Sequence, residues 1–241
     1  MPPLSDGQSA RSLPSEFPSI TVLICTLNEE RSIVHVLGMI PSFVTEVLIV
    51  DGHSTDRTLE VAREIYPAVC VTTQPGRGKG DAIRHGIQQA TGEIVVTVDA
   101  DGSMDLKDIS KFVNFLTQGY DFAKGSRFLP GAGTKDMTRH RLFGNWVFTT
   151  LTNILYGTRY TDITYGYNAF WRRSVENIRV LADGFEEVVE WNINIRKKGL
   201  KVVEVPSYEH PRLYGEGKLR SFHDGARILR TIIRERFRRV T

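Results

Sequence analysis

Four short apolar strand segments, each followed by a helical pattern, constrain the fold of this chain more than any other feature. The segments 19–25, 45–50, 68–73 and 93–99 are nearly uninterrupted runs of apolar residues, rich in Val and Ile. Parallel strands covered by helices on both faces have this composition, whereas a strand with one wet face alternates. Strand and helix alternate through about residue 120, which predicts an α/β fold with a mostly parallel, doubly wound sheet.

Helical periodicity fills the intervals between these strands, and the pattern loosens after residue 120. Further strand segments are predicted at 120–129, 165–173 and 200–206. The predicted helices are 28–40, 56–66, 79–90, 141–157 and 186–199. We find no internal repeat and no interdomain linker. The sequence therefore predicts one domain over 19–215, a disordered Pro- and Ser-rich tail at 1–18, and a basic helical tail at 216–241.

Charge and hydropathy exclude some classes of protein. The net charge of +3 is too small to indicate nucleic-acid binding. No run of eighteen apolar residues occurs, so we expect no transmembrane helix, and residues 1–19 lack the apolar region of a signal peptide. Residues 218–241 contain eight Lys or Arg against two acids. Such a tail is either a solvated helix face or a surface for an acidic partner or an anionic membrane.

The helix predicted at 141–157 carries an apolar stripe that includes Phe143, Trp146 and Leu151. A stripe of this kind is either core packing or, together with the basic tail, an anchor at a membrane surface. The sequence leaves both interpretations open.

Ligands of open parallel sheets bind beyond the carboxyl ends of the strands. The four segments that follow the first four strands are, in order, TLNEE, DGHSTD, QPGRGKG and DADGS. Acids, small residues and a glycine-rich basic loop therefore converge on one edge of the predicted sheet.

These loops match neither common nucleotide motif. A dinucleotide-binding site needs GxGxxG after the first strand, so hydride chemistry is disfavoured. GRGKGD is not a P-loop, because Lys79 is followed by Gly80 rather than Ser or Thr. The loop is either a glycine turn into a helix or a phosphate cradle that uses backbone N–H groups with Arg77 or Lys79.

Asp99 and Asp101 stand one residue apart at the end of a buried strand. Two carboxylates so close repel each other, and burial would raise their pKa, so a cation is expected beside them. Mg²⁺ or Mn²⁺ suits such oxygen ligands and also bridges a diphosphate. The two cysteines form no CxxC pattern, and no zinc site is predicted.

Taken together, these segments resemble glycosyltransferase family 2, in the branch of dolichol-phosphate mannose synthase and bacterial polyprenyl-phosphate sugar transferases. The resemblance extends over residues 20–220, and its segments occur in the family's order. They are TLNEE, VDGHSTDRT, GRGKGDAIRHGIQQATGE, VDADGS, GSRF, TDITYGYNAFWR, GFEEVVE and EVPSYEHPRLYGEGKL. The resemblance implies the A-type glycosyltransferase fold, which is Rossmann-like, and makes 19–215 a nucleotide-sugar transferase domain.

The resemblance also implies site residues. Asp99 and Asp101 would hold the metal and the donor diphosphate. The residues that would line the nucleotide pocket or face the donor are Thr26, Asn28, Glu29, Asp51, Arg77 and Lys79. Those that would meet phosphate charge on donor or acceptor are Arg127, Arg212 and Lys218.

Three positions depart from the family's usual pattern. Cys25 stands where the first motif often has Pro. Asp51 is followed by Gly52 rather than a second Asp, which leaves one carboxylate for the nucleoside. Gly217 replaces the serine of the late Gly-x-Ser-Lys motif, which removes a hydroxyl that could contact an acceptor phosphate.

The implied reaction is a single in-line displacement that inverts the anomeric carbon and releases a nucleoside diphosphate. A phosphate acceptor is already anionic, but a hydroxyl acceptor needs a base. The base candidates are Glu187 and Glu190, three residues apart on one helical face, with Asp162 as a third option. The candidate catalytic residues are Asp101, Arg127, Glu187 and Glu190.

Three functions remain open at this point. The first is a metal-dependent hexosyltransferase of cell-envelope glycan biosynthesis, cytoplasmic and peripheral on the inner membrane face, with a polyprenyl phosphate as acceptor. The second is a soluble glycosyltransferase that acts on a hydroxyl of a small molecule or glycan. The third is a non-catalytic nucleotide-sugar-binding partner, which the intact acidic pair disfavours.

Overall fold

The structure is a computed structural model that describes residues 17–217 and 220–238. Most of the tail that was predicted to be disordered, and Lys218 with it, lie outside the described residues.

Short strands alternate with helices along the described chain. The strands are β1 (Ile20–Thr26), β2 (Glu46–Asp51), β3 (Cys70–Thr73), β4 (Ile94–Asp99), β5 (Phe122–Ser126), β6 (Gly133–Thr134), β7 (Asn168–Trp171), β8 (Val202–Pro206) and β9 (Tyr208–Glu209). The helices are α1 (Ile33–Gly38), α2 (Thr58–Ile65), α3 (Lys79–Gln89), α4 (Ile109–Thr117), α5 (Arg139–Tyr156), α6 (Arg172–Val175), α7 (Glu187–Lys197) and α8 (Ser221–Phe237).

Seven of these strands form the central sheet, in the order β3-β2-β1-β4-β7-β5-β8, and β6 pairs with β9 beside it. All neighbours in the central sheet are parallel except at β7, which runs antiparallel to both β4 and β5. The prediction of a mostly parallel α/β sheet is confirmed. The reversed strand was not predicted, and it means that the chain enters β7 at the edge where β4 and β5 end.

Both faces of the sheet are buried, as the composition of the strands predicted. On β1, Val22 and Ile24 pack into a cluster that contains Phe112 of α4. Leu23 faces the opposite way, into a cluster with Ile83 of α3 and Trp191 of α7. Burying alternate residues on both faces removes apolar area from water at about 25 cal/mol per Å², which stabilises this layered arrangement.

Helix α5 has the reverse of the usual polarity of a surface helix. Three of its apolar side chains, Phe143, Trp146 and Ile154, are 65%, 63% and 74% exposed. The buried residues of the helix are Asn145, Thr149 and Thr152. Leu151 is half-buried and packs with Phe148 and Leu155 against α7 and α8. The helix is where the sequence predicted it, but only part of its apolar stripe is core.

Helix α8, predicted as a basic tail, packs against α5 and α7. Ile228 and Ile232 enter a cluster with Val189 and Ile193 of α7. The Tyr156 hydroxyl of α5 donates to the Ile232 carbonyl at 2.6 Å. In the part of the chain that the structure describes, we find no helix long and apolar enough to cross a membrane.

Candidate functional site

The carboxyl ends of β1, β2 and β4 lie side by side, because Thr26 is in register with Asp51 and Cys25 with Asp99. Asp101 follows two residues after β4. The strand register therefore brings one carboxylate of β2 and the acidic pair of β4 to a single edge of the sheet, as the sequence predicted.

Asp51 is buried at the turn that follows β2. Its carboxylate accepts the backbone N–H groups of His53 at 3.0 Å and Ser54 at 3.1 Å. His53 has a positive φ of 69°, so the turn is tight at this point. The carboxylate organises the turn after β2 and keeps acceptor capacity for a ligand.

The loop after β1 is joined to the loop after β2. The Asn28 side chain accepts the Thr55 N–H at 2.7 Å, and its own N–H donates to the Ser54 hydroxyl at 2.9 Å. Glu29 is buried and accepts a hydrogen bond from Arg212 at 2.9 Å. These contacts fix residues 28–30 in a turn, and for this reason α1 begins at Ile33 rather than at residue 28.

Lys79 opens α3 between two glycines that the packing requires. A Cβ atom at Gly78 would clash with the Asp183 carbonyl, and one at Gly80 would clash with the Ala182 carbonyl. Gly78 also has a φ of +90°, and the Gly80 N–H donates to the Asp183 oxygen at 2.8 Å. The glycine-rich loop is therefore held against segment 182–183. Arg77, within this loop, is exposed.

Lys79 forms an ion pair with Asp99. Burial alone would lower the pKa of this ammonium, but Asp99 and Glu187 outweigh burial and hold the pKa above its ordinary value. Burial raises the pKa of Glu187 to about 8, with Lys79 opposing the shift and Asp99 adding to it. Glu187 thus shares an electrostatic environment with the first acid of the pair.

Asp101 is paired from the opposite side. Its carboxylate lies 3.0 Å from the Arg212 guanidinium and accepts the Ser103 N–H at 2.9 Å. Burial raises the pKa of this carboxyl, and the charge of Asp99 raises it further. The two carboxylates repel each other as the sequence predicted, and Lys79 and Arg212 supply the positive charge beside them.

The acidic pair fits a divalent cation that a substrate would share. No cluster of three or more Asp, Glu, His or Cys side chains suited to a metal occurs within residues 17–217 and 220–238. Mg²⁺ is commonly held by only one or two carboxylates, with substrate phosphates and water completing its shell. Asp99 and Asp101 match that donor set.

Arg127 does not face this edge as a free cation. Its guanidinium donates to both oxygens of Asp162, at 2.7 and 3.0 Å, to both oxygens of Glu209, each at 3.1 Å, and to Thr164 at 3.0 Å. All five N–H groups are in use, and Tyr165 covers the face of the guanidinium. Arg127 is therefore a buried ion-pair centre, an arrangement that disfavours its predicted role as a phosphate-binding catalytic residue, and that role stays a prediction.

Two of the three base candidates are also engaged elsewhere. Asp162 is fully buried against Arg127, whose charge outweighs burial and lowers the pKa of the carboxyl. Glu190 is fully buried and accepts hydrogen bonds from Arg238, just after α8, and from the segment before α7. Although Glu187 and Glu190 are three residues apart, only Glu187 lies beside Lys79. The contacts of Glu190 disfavour its predicted role as a base, which stays a prediction.

Two further residues border the site without a sequence signal for that role. The buried Gln74 side chain donates to the Gly78 carbonyl at 3.2 Å, behind the glycine-rich loop. A Cβ atom at Gly166 would lie 3.1 Å from the Lys79 ammonium. Gly166 reaches the site only because β7 is antiparallel, which periodicity along the chain does not encode.

The family model described as glycosyl transferase family 2 matches residues 21–179. Glycosyltransferase AglJ of Haloferax volcanii is 33% identical over 222 residues, which are 90% of this chain and 71% of that protein. Dolichyl-phosphate hexose transferase of the same organism is 33% identical over 221 residues, 90% of this chain and 94% of that protein. Dolichol-phosphate mannosyltransferase of Pyrococcus furiosus is 28% identical over 216 residues, 83% of this chain and 59% of that protein.

Solved structures of low sequence identity have the same fold. Glucosyl-3-phosphoglycerate synthase from Mycobacterium tuberculosis, in complex with Mn²⁺, UDP and phosphoglyceric acid, superimposes with a TM-score of 0.72 at 20% identity. The match covers 91% of this chain and 79% of that one. The predicted A-type fold is confirmed.

Proposed function

The chain belongs to glycosyl transferase family 2, and we propose on this premise that it transfers a sugar from a nucleotide-diphosphate sugar to a polyprenyl phosphate. The observation that carries the proposal is the arrangement of Asp99 and Asp101 between Lys79 and Arg212. Paired carboxylates with flanking cations at the carboxyl edge of a parallel sheet suit a metal-bound diphosphate.

In the proposed complex, Asp99 and Asp101 hold a divalent cation that also binds the donor diphosphate. Mn²⁺ in the related synthase structure supports a divalent metal, and the choice between Mg²⁺ and Mn²⁺ follows from the binding experiment below. The metal would supply charge stabilisation for the departing nucleoside diphosphate. Asp51, with Thr26, Asn28 and Glu29 in the adjoining turns, would form the nucleoside side of the pocket.

Lys79, Arg77 and Arg212 would bind the phosphates and stabilise the negative charge that develops on them. Lys79 is already held in place by its ion pair, and the tight packing of the loop around it limits its movement. Sugar transfer with inversion then needs only an acceptor in line with the bond that breaks.

A polyprenyl phosphate is the acceptor that the relatives support best. Dolichyl-phosphate hexose transferase matches over 94% of its own length, so the resemblance covers nearly that whole protein. A phosphate oxygen is already a nucleophile and loses no proton, so the reaction needs no general base. Asp162 and Glu190 are held in buried ion pairs, which is compatible with a transfer reaction that uses no general base.

Two helices would bring the protein to the membrane surface where such an acceptor lies. On α8 the exposed apolar residues are Phe222, Leu229, Ile233 and Phe237, and α5 adds Phe143, Trp146 and Ile154. Arg230 and Arg236 are exposed among them. Apolar side chains insert into the interface, and each basic residue near an anionic bilayer adds about 1 kcal/mol. We call this surface, formed by α5 and α8, the two-helix face.

A hydroxyl acceptor is the second candidate, and one observation favours it. Glu187 is the base candidate that lies beside Lys79 and Asp99, where a sugar donor would bind. Under this alternative Glu187→Gln abolishes transfer, whereas a phosphate acceptor leaves transfer by that variant within about tenfold of the wild type.

The donor experiment uses thermal unfolding with UDP, GDP and dTDP, each with Mn²⁺ or Mg²⁺. A ligand that binds the native state raises the midpoint by mass action. One nucleotide should raise it in a metal-dependent way, and Asp101→Ala should abolish that rise. The matching nucleotide sugar is then incubated with a polyprenyl phosphate and with free alcohols. Transfer to the phosphate supports the proposal, and transfer to alcohols alone rejects it.

The membrane experiment is sedimentation with vesicles that contain anionic lipid. Wild-type protein should bind at low salt and dissociate at high salt. Phe143→Ser with Trp146→Ser should reduce binding, whereas Phe17→Ser, which alters a 63% exposed phenylalanine outside the two-helix face, should not. Point substitutions are preferable to deletion of α8, because Ile228 and Ile232 belong to the core. Equal vesicle binding by all variants would reject the two-helix face as the membrane-binding surface.

A further inference from the structure

Glu190 of α7 links the C-terminal end of helix α8 to segment 181–183, which packs against the glycine-rich loop. Each of its carboxylate oxygens accepts one backbone N–H and one guanidinium. The first accepts from Leu181 at 3.0 Å and Arg238 at 2.6 Å. The second accepts from Ala182 at 2.8 Å and lies 3.0 Å from Arg234. The carboxylate is fully buried.

The same short segment presses against the loop that carries Lys79. The Ala182 and Asp183 carbonyls occupy the space where Cβ atoms of Gly80 and Gly78 would lie. The Asp183 carbonyl also accepts the Gly80 N–H at 2.8 Å. A shift of segment 181–183 would therefore move the two glycines that flank Lys79.

Helix α8 and the residue that follows it support this segment at two further points. Arg227 pairs with Glu186 at 2.7 Å, just before α7. Arg238 donates to the Arg179 carbonyl at 2.9 Å, just before segment 181–183. Arg227 of α8 and Arg238 just after it thus hold both ends of the stretch that faces the glycine-rich loop.

We propose that Glu190 is a positioning residue for the diphosphate site, acting with Arg234 and Arg238 through segment 181–183 to hold Lys79. The proposal rests on the proposed function, because it takes Lys79 to bind the donor diphosphate. Glu190 does not touch substrate in this arrangement. Its four partners use both oxygens, and it fixes the backbone against which the glycine-rich loop packs.

The chain offers a matched control in Glu235 of α8. Glu235 is also fully buried, and it pairs with Lys197, Arg234 and Arg238. It has no contact with segment 181–183 among its hydrogen bonds and ion pairs in the described chain. Loss of Glu235 removes a buried carboxylate from the same cluster but leaves the backbone contacts of Glu190 in place.

The test measures binding of inorganic pyrophosphate with Mn²⁺ by calorimetry in full-length protein. Glu190→Ala should weaken binding about tenfold or more, and Glu235→Ala should change it less than twofold. Because alanine at a fully buried position can prevent folding, Glu190→Gln is measured as well. Glutamine keeps one acceptor oxygen for a backbone N–H, so its loss of affinity should lie between those of the wild type and the alanine variant.

Two more readouts separate positioning from general destabilisation. Amide exchange at residues 181–183 should accelerate in the Glu190 variants but not in Glu235→Ala. In steady-state transfer the Glu190 variants should raise KM for the donor more than they lower kcat, and the pH profile of kcat should keep its shape. A changed pH profile would indicate a base and would overturn the proposal.

The outcomes also distinguish the two levels of the proposal. Wild-type protein that fails to bind manganese pyrophosphate overturns the proposed function. Wild-type binding that is matched by Glu190→Ala or Glu190→Gln overturns the positioning role alone, and so does an equal loss in Glu235→Ala.

Discussion

Two clusters of acidic and basic side chains lie at the same edge of the sheet, one after β4 and one after β5. In the cluster after β5, Arg127 is buried and all five of its N–H groups have protein acceptors. In the cluster after β4, Asp99 and Asp101 each have one cationic partner, and the four side chains keep between 14% and 31% of their surface exposed. The two clusters contain the same types of residue, but they differ in how many of their hydrogen-bonding groups already have protein partners.

That difference distinguishes a cluster that stabilises the fold from one that can bind a ligand. A saturated, buried ion pair has no donor or acceptor left for a ligand, and its removal leaves an uncompensated charge. The pair after β4 keeps acceptor capacity, and its repulsion is relieved only in part by Lys79 and Arg212. Charge alone does not identify a binding residue, whereas unused hydrogen-bonding capacity at a strand end does.

Arg127→Met should have the largest effect, and the effect should be on stability. Breaking a buried pair strands Asp162 and Glu209 without their cation, which costs about 3–5 kcal/mol. Urea unfolding followed by circular dichroism measures the loss. A loss below about 1 kcal/mol would mean that the cluster is not structural and would remove the contrast with the acidic pair.

Asp101→Asn should show the opposite pattern. Burial and the charge of Asp99 already raise the pKa of this carboxyl, so removing the charge relieves repulsion and leaves stability within about 1 kcal/mol. Sugar transfer should fall on the order of 100-fold or more, the scale of removing one preorganised electrostatic group. Transfer assays and unfolding curves on the same preparation check both halves. Full transfer in excess EDTA would contradict the metal site.

Arg212→Gln should have an intermediate effect on binding. Arg212 bridges Glu29 and Asp101, and removing one charge-assisted hydrogen bond corresponds to roughly a tenfold weaker manganese–pyrophosphate complex. Calorimetry measures the change. Arg63→Gln, an exposed arginine on α2, is the matched control and should bind as the wild type does. Tighter binding by Arg212→Gln would mean that the arginine competes with the metal for Asp101.

Acid should narrow the stability gap between the wild type and Arg127→Met, which is the smallest of these effects. In the wild type the charge of Arg127 outweighs burial and lowers the pKa of Asp162. The ionised carboxylate therefore contributes its full stabilisation at pH values above the ordinary pKa range of Asp. That contribution is lost as the pH falls through the lowered pKa. Without Arg127 the buried carboxylate is destabilising, and protonation relieves it. Unfolding curves from pH 7 down to pH 3 would contradict this if the gap widened.

The sequence correctly predicts the strands and helices that carry an unbroken apolar run or a regular helical repeat of apolar residues. Predicted strands at 45–50 and 93–99 correspond to Glu46–Asp51 and Ile94–Asp99, and the helix predicted at 79–90 to Lys79–Gln89. Apolar runs and helical periodicity suffice where both faces of a strand are covered. The predicted strand ends also place Asp51, Asp99 and Lys79 at the carboxyl edge of the sheet, where the structure has them.

The remainder depends on contacts that are distant in sequence. Arg127 meets Asp162 and Glu209 across 35 and 82 residues, and Glu190 meets Arg238 across 48. Nothing local in GSRF or GFEEVVE distinguishes a saturated buried charge from a binding one. For a similar reason the sequence did not decide whether the apolar residues of α5 are core or surface. Periodicity shows that they share one helix face, but it does not show what packs against that face.

The reversed strand β7 also sets an order of assembly. Strands β1 to β4 come from residues 20–99 and pair with one another, so this half of the sheet needs no residue made later. Strand β5 joins the sheet only through β7 and β8, so it waits for roughly 40 residues to be made, a few seconds at the usual rate of synthesis. Until then β4 presents an unpaired edge directly beside the acidic pair, and open edges invite pairing with other chains. The nascent chain is therefore most prone to aggregate after its nucleotide-facing half has formed and before its centre has closed, and chaperone protection matters most in that interval.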